Sequence, residues 1–211
     1  MALINVREVY PGVSLGLWQM EETVAEFLSH YPWMDEYVEE LSDYKSDRRK
    51  LELLTVRALL HEMLLVDGLS VRQSLRVGKI RHNENGKPLL QGYHISISHT
   101  KGFVAVIISK VNEVAVDIEF YDDRVKRIAQ KFLRKDELFT GMDSLLVCWC
   151  GKETIYKLFS DANLQYREMR VCPFDTMTDW SCEIENLKSR QKVNVDFELT
   201  MEYVLTYAAL S

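Results

Sequence analysis

Val114-Ala115-Val116-Asp117-Ile118-Glu119-Phe120 and, further along, Trp149-Cys150-Gly151-Lys152-Glu153-Thr154-Ile155-Tyr156-Lys157 are the two stretches on which the reading of this chain turns. The first alternates. Val114, Val116, Ile118 and Phe120 point one way, and Ala115, Asp117 and Glu119 point the other, as in a strand. Its two carboxylates then share one face, roughly 7 Å apart at their Cα atoms. The second stretch reads as a helix in which Trp149, Glu153 and Lys157, four apart, share one side.

Gathered together, Asp117, Glu119 and Glu153 would repel one another, and a hard divalent cation removes that repulsion. Mg²⁺ takes one or two protein carboxylates, keeps waters and completes its shell with substrate phosphate oxygens. Lys157, one turn beyond Glu153, is placed to reach the same phosphates. The residues thus suggest a magnesium site for phosphoryl chemistry. Each motif alone also describes a solvated strand face or a surface ion pair worth a few tenths of a kcal/mol.

Together the two stretches resemble the signature of the 4′-phosphopantetheinyl transferases, a Gly-Ile-Asp-Ile-Glu strand followed by a Trp-x-x-Lys-Glu-x-x-x-Lys helix. Ala115 stands where that family usually has glycine. Upstream, Arg48 and Arg57 match the family's pair of arginines nine apart. Gly86-Lys87-Pro88 matches its Gly-Lys-Pro, and Ile95-Ser96-Ile97-Ser98-His99-Thr100 resembles its Ile-Ser-x-Ser-His-Ser strand end. The five pieces occur in the family's order over roughly residues 44–160.

The resemblance implies transfer of 4′-phosphopantetheine from coenzyme A to a serine of an apo acyl- or peptidyl-carrier protein, with Mg²⁺ held by Asp117, Glu119 and Glu153. Adenosine 3′,5′-bisphosphate would be the other product. Glu153 and Lys157 would be the catalytic pair. Gly86, Lys87 and Pro88 would line an adenine pocket, and Ser98 and His99 would contact coenzyme A phosphates alongside Lys157. Arg48 and Arg57 would help hold the 3′-phosphate. Members of the surfactin-synthetase-activating type carry lysines upstream of that pair, where this chain has Tyr37 to Tyr44, so Lys45 and Arg48 are the substitutes at hand. Two rival readings are a non-catalytic relative that binds coenzyme A or a carrier protein, and an unrelated Mg²⁺-dependent phosphohydrolase using the same carboxylates.

The element order suggests an α+β fold of two similar lobes, residues 1–110 and 111–211, each with helices on a small antiparallel sheet. Longer members of the resembled family are pseudo-dimers of this kind, with one site in the cleft between lobes. Of the elements, Ser46 to Val66 is the strongest predicted helix, closed by Gly68. Residues 13–20, Lys79 to Asn83, Tyr93 to Thr100, Phe103 to Ser109 and the alternating stretches after Met169 read as strands, and Asn85-Gly86 as a turn. Glu21 to Ser29, Asp122 to Leu133 and Lys135 to Phe139 read as short helices. Asp143 or Ser144 is the expected cap of the helix bearing Glu153.

The formal net charge of −6 conceals a gradient: residues 1–44 carry −8, residues 45–101 carry +6 and the remainder −4. A basic middle between acidic ends suggests a local anion site and argues against a nucleic-acid-binding surface. Arg124, Lys126, Arg127, Lys131, Arg134 and Lys135 form a second basic cluster, in a region that helps receive the carrier protein in the resembled family, and carriers are acidic around the modified serine. No apolar run approaches the roughly 20 residues of a membrane span, and no secretory signal is visible at the N-terminus. Cys148, Cys150, Cys172 and Cys182 follow no zinc or disulfide spacing. A cytoplasmic monomer with reduced thiols is expected.

Overall fold

In the computed structural model, which describes residues 2–210, two antiparallel sheets lie back to back with helices on both outer faces. The chain opens with β1 (Ala2–Tyr10) and β2 (Val13–Gln19), then α1 (Val24–His30), a 3₁₀ turn Pro32–Tyr37, α2 (Val38–Ser42), α3 (Asp47–Val66) and α4 (Val71–Val77). A short hairpin, β3 (Arg81–His82) and β4 (Pro88–Leu89), leads to β5 (His94–Thr100) and β6 (Phe103–Ser109). After residues 110–112 come β7 (Glu113–Phe120), α5 (Arg124–Phe132), α6 (Met142–Leu158), β8 (Met169–Val171), β9 (Ser181–Asn186), β10 (Gln191–Leu199) and β11 (Tyr203–Leu210). The first sheet has the order β1-β2-β6-β5 and the second β7-β11-β10-β9-β8.

Alternation along the strands builds the layers. Val13, Leu15 and Leu17 of β2, with Phe103, Ala105 and Ile107 of β6, face Val114, Val116 and Ile118 of β7 and Leu205 of β11 between the sheets. The opposite residues of the first sheet, Trp18, Val104, Val106 and Ile108, pack against α3. Those of the second, Ala115, Val204 and Ala208, pack against α6. Complete burial of these apolar rows, at about 25 cal/mol per Å², is the main term holding the layers together.

At Gly16 the helix α3 presses directly on the first sheet. A Cβ there would stand 2.7 Å from Leu59 Cδ1 and 2.7 Å from Met63 Sδ, and both side chains are fully buried. Gly16→Ala is therefore expected to cost about 1–3 kcal/mol by overpacking, read as a lower midpoint in thermal unfolding with the same spectrum at low temperature. An unchanged midpoint would show that α3 can lift away without cost.

Several expectations need correction. Lys135 to Phe139 is no helix but a turn. The Glu137 side chain folds inward, accepting from the amides of Arg134 at 2.8 Å and Val171 at 2.7 Å, and the Glu137 amide closes one turn on the Arg134 carbonyl at 3.2 Å. The N-cap of α6 is Gly141. Asp143 lies in its first turn and accepts from the Tyr121 hydroxyl at 2.5 Å, while Ser144 donates back to the Gly141 carbonyl at 2.9 Å. The strand β1 and the helix α4, which opens with a Ser70/Gln73 capping box, were not expected. Gly86 does turn the β3–β4 hairpin, at φ 78°, and Gly68 follows the end of α3 at φ 89°. The four cysteines are unpaired thiols. No helix among the described residues is long and apolar enough to cross a membrane.

Candidate active site

The alternation of β7 turns Asp117 and Glu119 toward α6, and α6 runs antiparallel across them. Trp149 thus meets Glu119 near one end of the strand and Lys157 meets Asp117 two turns on. The Trp149 indole donates to Glu119 Oε1 at 2.8 Å. Lys157 Nζ donates to Asp117 Oδ1 at 2.7 Å, to the Val116 carbonyl at 2.9 Å and to the Ile97 carbonyl at 3.3 Å. Ser98 donates to the same Asp117 Oδ1 at 2.8 Å. Glu153, between Trp149 and Lys157, accepts from the Tyr166 hydroxyl at 2.5 Å.

Burial raises the pKa of Glu119, and the neighbouring Asp117 charge adds to that against the Trp149 hydrogen bond. Glu153 is raised too, first by burial and further by Asp117, with Tyr166 opposing. Burial and the Glu153 hydrogen bond together push the Tyr166 hydroxyl up. Asp117 Oδ2 is buried without a hydrogen-bond partner. An orphaned carboxylate oxygen beside two further carboxylates, both strained by burial and like charge, is the donor chemistry of a hard divalent cation. As placed, no three His, Cys, Asp or Glu side chains among the described residues stand close enough to hold a metal ion. Glu119 is turned to Trp149 and Glu153 to Tyr166.

Two cavities reach this cluster, one at Lys157 and the other at Glu119. The first, of about 560 Å³, is lined by Gly86, Lys87, Pro88, Tyr156 and Lys157, a size that suits a small-molecule ligand. Lys87 there is paired to Glu113 at 3.2 Å. The second, of about 310 Å³, is lined by Glu119 and Trp149, with Arg48, Lys101 and Arg124 among its walls.

A third cavity, of about 250 Å³, shares Gly86 and Pro88 with the first and is lined by Arg49, Arg57, His82 and His99. Its organising group is Glu52, buried at the floor. Glu52 accepts from Arg48 Nε at 3.1 Å and Arg49 at 3.0 Å and lies 3.5 Å from His99 Nδ1. Arg49 also reaches His99 Nε2 at 2.8 Å, so that nitrogen is the acceptor and the proton sits on Nδ1, facing Glu52. Burial lowers the His99 pKa, Glu52 opposes, and Arg49, Lys157 and Arg48 lower it further.

Of the residues singled out in the sequence, Asp117, Glu119, Glu153, Lys157 and Ser98 come together. Gly86, Lys87 and Pro88 share a cavity with Lys157, and His99 and Arg57 line its neighbour. Arg57 is engaged there, bonded to Glu40 at 2.8 Å and stacked 4.2 Å from the Tyr37 ring centroid. Arg48 lines the far opening, and Lys45 is exposed and lines none of the three. Sequence reasoning missed Glu52, Arg49, Lys101 and Tyr166. Arg49 was visible in the basic run at the start of α3; Tyr166 follows α6 in a 3₁₀ turn with no periodic signal.

Residues 113–208 match the family model of the 4′-phosphopantetheinyl transferase superfamily. The matched stretch begins at β7 and reaches into β11, so it contains Asp117, Glu119, Glu153 and Lys157. No curated protein matches the chain.

Proposed function

We propose that the chain transfers 4′-phosphopantetheine from coenzyme A to a serine of an apo acyl- or peptidyl-carrier protein, releasing adenosine 3′,5′-bisphosphate. The observation that carries this reading is the Asp117–Glu119–Glu153 group with Lys157, which lies inside the stretch that matches the family and is reached by two separate cavities, one lined by Lys157 and the other by Glu119. A two-substrate transfer needs donor and acceptor to approach one centre from different sides, and two cavities that reach one cluster, through Lys157 and through Glu119, would allow it. The stacking of two helix-backed sheets is what favours the long, single-chain, two-lobed type.

Asp117, Glu119 and Glu153 would hold Mg²⁺, which when bound supplies Lewis-acid polarisation of the phosphoryl group and offsets charge on the departing bisphosphate. The chain's own groups do the rest. Coenzyme A lies in the cavity of Gly86, Lys87 and Pro88, with the Lys157 ammonium, its three protons bonded to Ile97, Val116 and Asp117, acting on its phosphates by charge through space. Glu52 keeps Arg48, Arg49 and His99 in place near its far end. The carrier's serine comes from the Glu119 side, where Arg48, Lys101 and Arg124 favour an acidic partner. The serine oxygen forms a bond to the pantetheine-linked phosphorus, the phosphoanhydride bond to adenosine bisphosphate breaks, and Glu153 takes the serine proton.

The test is incubation with coenzyme A, Mg²⁺ and a panel of apo-carrier proteins, each weighed by intact mass spectrometry. One phosphopantetheinyl mass should be gained and a chelator should abolish the gain. Coenzyme A binding without any gain would favour the non-catalytic relative. Diester cleavage with no carrier present would favour a phosphohydrolase.

A further inference from the structure

Strands β5 and β7 run side by side yet belong to different sheets. The link between them is a ladder of side-chain hydroxyls. Ser96 Oγ accepts from the Val116 amide at 3.2 Å, Ser98 Oγ from the Ile118 amide at 3.2 Å and Thr100 Oγ1 from the Phe120 amide at 3.0 Å. The separation of 20 residues is the same at each rung, so the strands run parallel and alternate amides of β7 find hydroxyls where a sheet would offer carbonyls. Each hydroxyl adds a side chain's length to the usual spacing of about 4.8 Å. Into the widened gap comes Lys157 Nζ, which bonds the Ile97 carbonyl of one strand and the Val116 carbonyl of the other.

The middle rung differs in what it does with its proton. A serine hydroxyl has one hydrogen to give, and Ser98 gives it to Asp117 Oδ1. With Lys157 on the same oxygen, the hydroxyl and the ammonium are both spent on one side of the carboxylate, and Oδ2 is left buried with no hydrogen bond, the buried Cys150 thiol being the other polar group beside Asp117. Ser98 and Asp117 are 7% and 4% exposed, so neither bond competes with bulk water.

We propose that Ser98 is a positioning residue, coupling the first sheet to the metal-binding carboxylate by fixing Asp117 through Oδ1 so that Oδ2 remains for a cation. This rests on the metal-dependent reading given above. It assigns Ser98 a different task from phosphate contact, because its only proton is already committed.

The experiment is a Mn²⁺ titration followed by water-proton relaxation, with coenzyme A present and no carrier, on the unaltered protein, Ser98→Ala and Ser96→Ala. Ser98→Ala should weaken Mn²⁺ binding about 10-fold, as loss of a partner behind a metal ligand does, with the Kd for coenzyme A at saturating metal, read by calorimetry, within twofold. Ser96→Ala removes a rung but no carboxylate contact and should leave Mn²⁺ binding within twofold. Ser98→Thr keeps the hydroxyl, should retain Mn²⁺ binding, and carries the test should the alanine variant not fold. Unchanged Mn²⁺ binding in Ser98→Ala, a rise in the Kd for coenzyme A with metal affinity intact, or no Mn²⁺ binding by the unaltered protein would each overturn the proposal. Should no carrier be modified while Ser98→Ala still loses Mn²⁺, the transfer reading fails and this one stands. Modified carriers, with Mn²⁺ bound equally well by Ser98→Ala and the unaltered protein, would leave transfer standing and remove Ser98 from the metal site.

Discussion

Glu153→Gln is expected to lower transfer about 10²–10⁴-fold, the range of a lost general base, while leaving the metal-free protein at least as stable as the parent. The two halves of this result have one cause. Burial holds the Glu153 pKa above its usual value, and the Asp117 charge adds to it. A carboxyl whose pKa is higher folded than unfolded binds its proton more tightly in the native state. Stability therefore falls as pH rises from the unfolded pKa through the folded one, and the deficit is fully present above both. Glutamine carries no charge to desolvate, and its amide oxygen still accepts from the Tyr166 hydroxyl, which Glu153 engages at 2.5 Å. The gain in thermal midpoint over the parent should accordingly be larger above neutrality than in acid. Activity and unfolding measured on the same preparation separate the effects: lost transfer with a retained or raised midpoint supports the assignment, and full activity would remove Glu153 from both base and metal-ligand roles. A function bought at the expense of stability is what a clustered-carboxylate site predicts.

What could be read from the sequence was whatever repeats with a regular period. The alternation of Val114 to Phe120 put Asp117 and Glu119 on one face, and the spacing of four put Glu153 and Lys157 on another. The structure brings those faces together. Ser46 to Val66 was legible for the same reason. Contacts between elements were not. Glu52 reads as an ordinary helix-surface carboxylate three and four residues from two arginines; only its burial under β5 and cavity residues makes it the hub for Arg48, Arg49 and His99. Ser98 sits on the polar side of an alternating strand, but its partner depends on a splayed parallel neighbour that no local pattern encodes. β1 is mostly half-exposed and shifts register twice against β2, so it lacks a clean alternation.

Lys152 shows the same limit inside the most legible helix, and its replacement should have the largest effect on stability. Although it belongs to the Trp-x-x-Lys-Glu-x-x-x-Lys pattern, it faces away from the site and is fully buried. Its ammonium donates to Glu137 Oε2 at 2.7 Å, to the Phe132 carbonyl at 2.8 Å and to the Tyr166 carbonyl at 3.2 Å. Burial lowers its pKa, and Glu137 opposes that. Lys152→Met keeps the volume and removes the charge, leaving the Glu137 carboxyl, whose side chain is 1% exposed, without its cationic partner. Such a break costs about 3–5 kcal/mol, roughly 10 °C in midpoint for a chain of this size. Lys152→Met with Glu137→Gln removes both charges and should recover a measurable part of the loss, because the uncompensated carboxylate and not the missing packing dominates it. Transfer should suffer beyond the folded fraction, since the same ammonium anchors the backbone of Tyr166, whose hydroxyl holds Glu153. Equal losses in the single and double variants would show instead that the two orphaned carbonyls, not the carboxylate, set the cost.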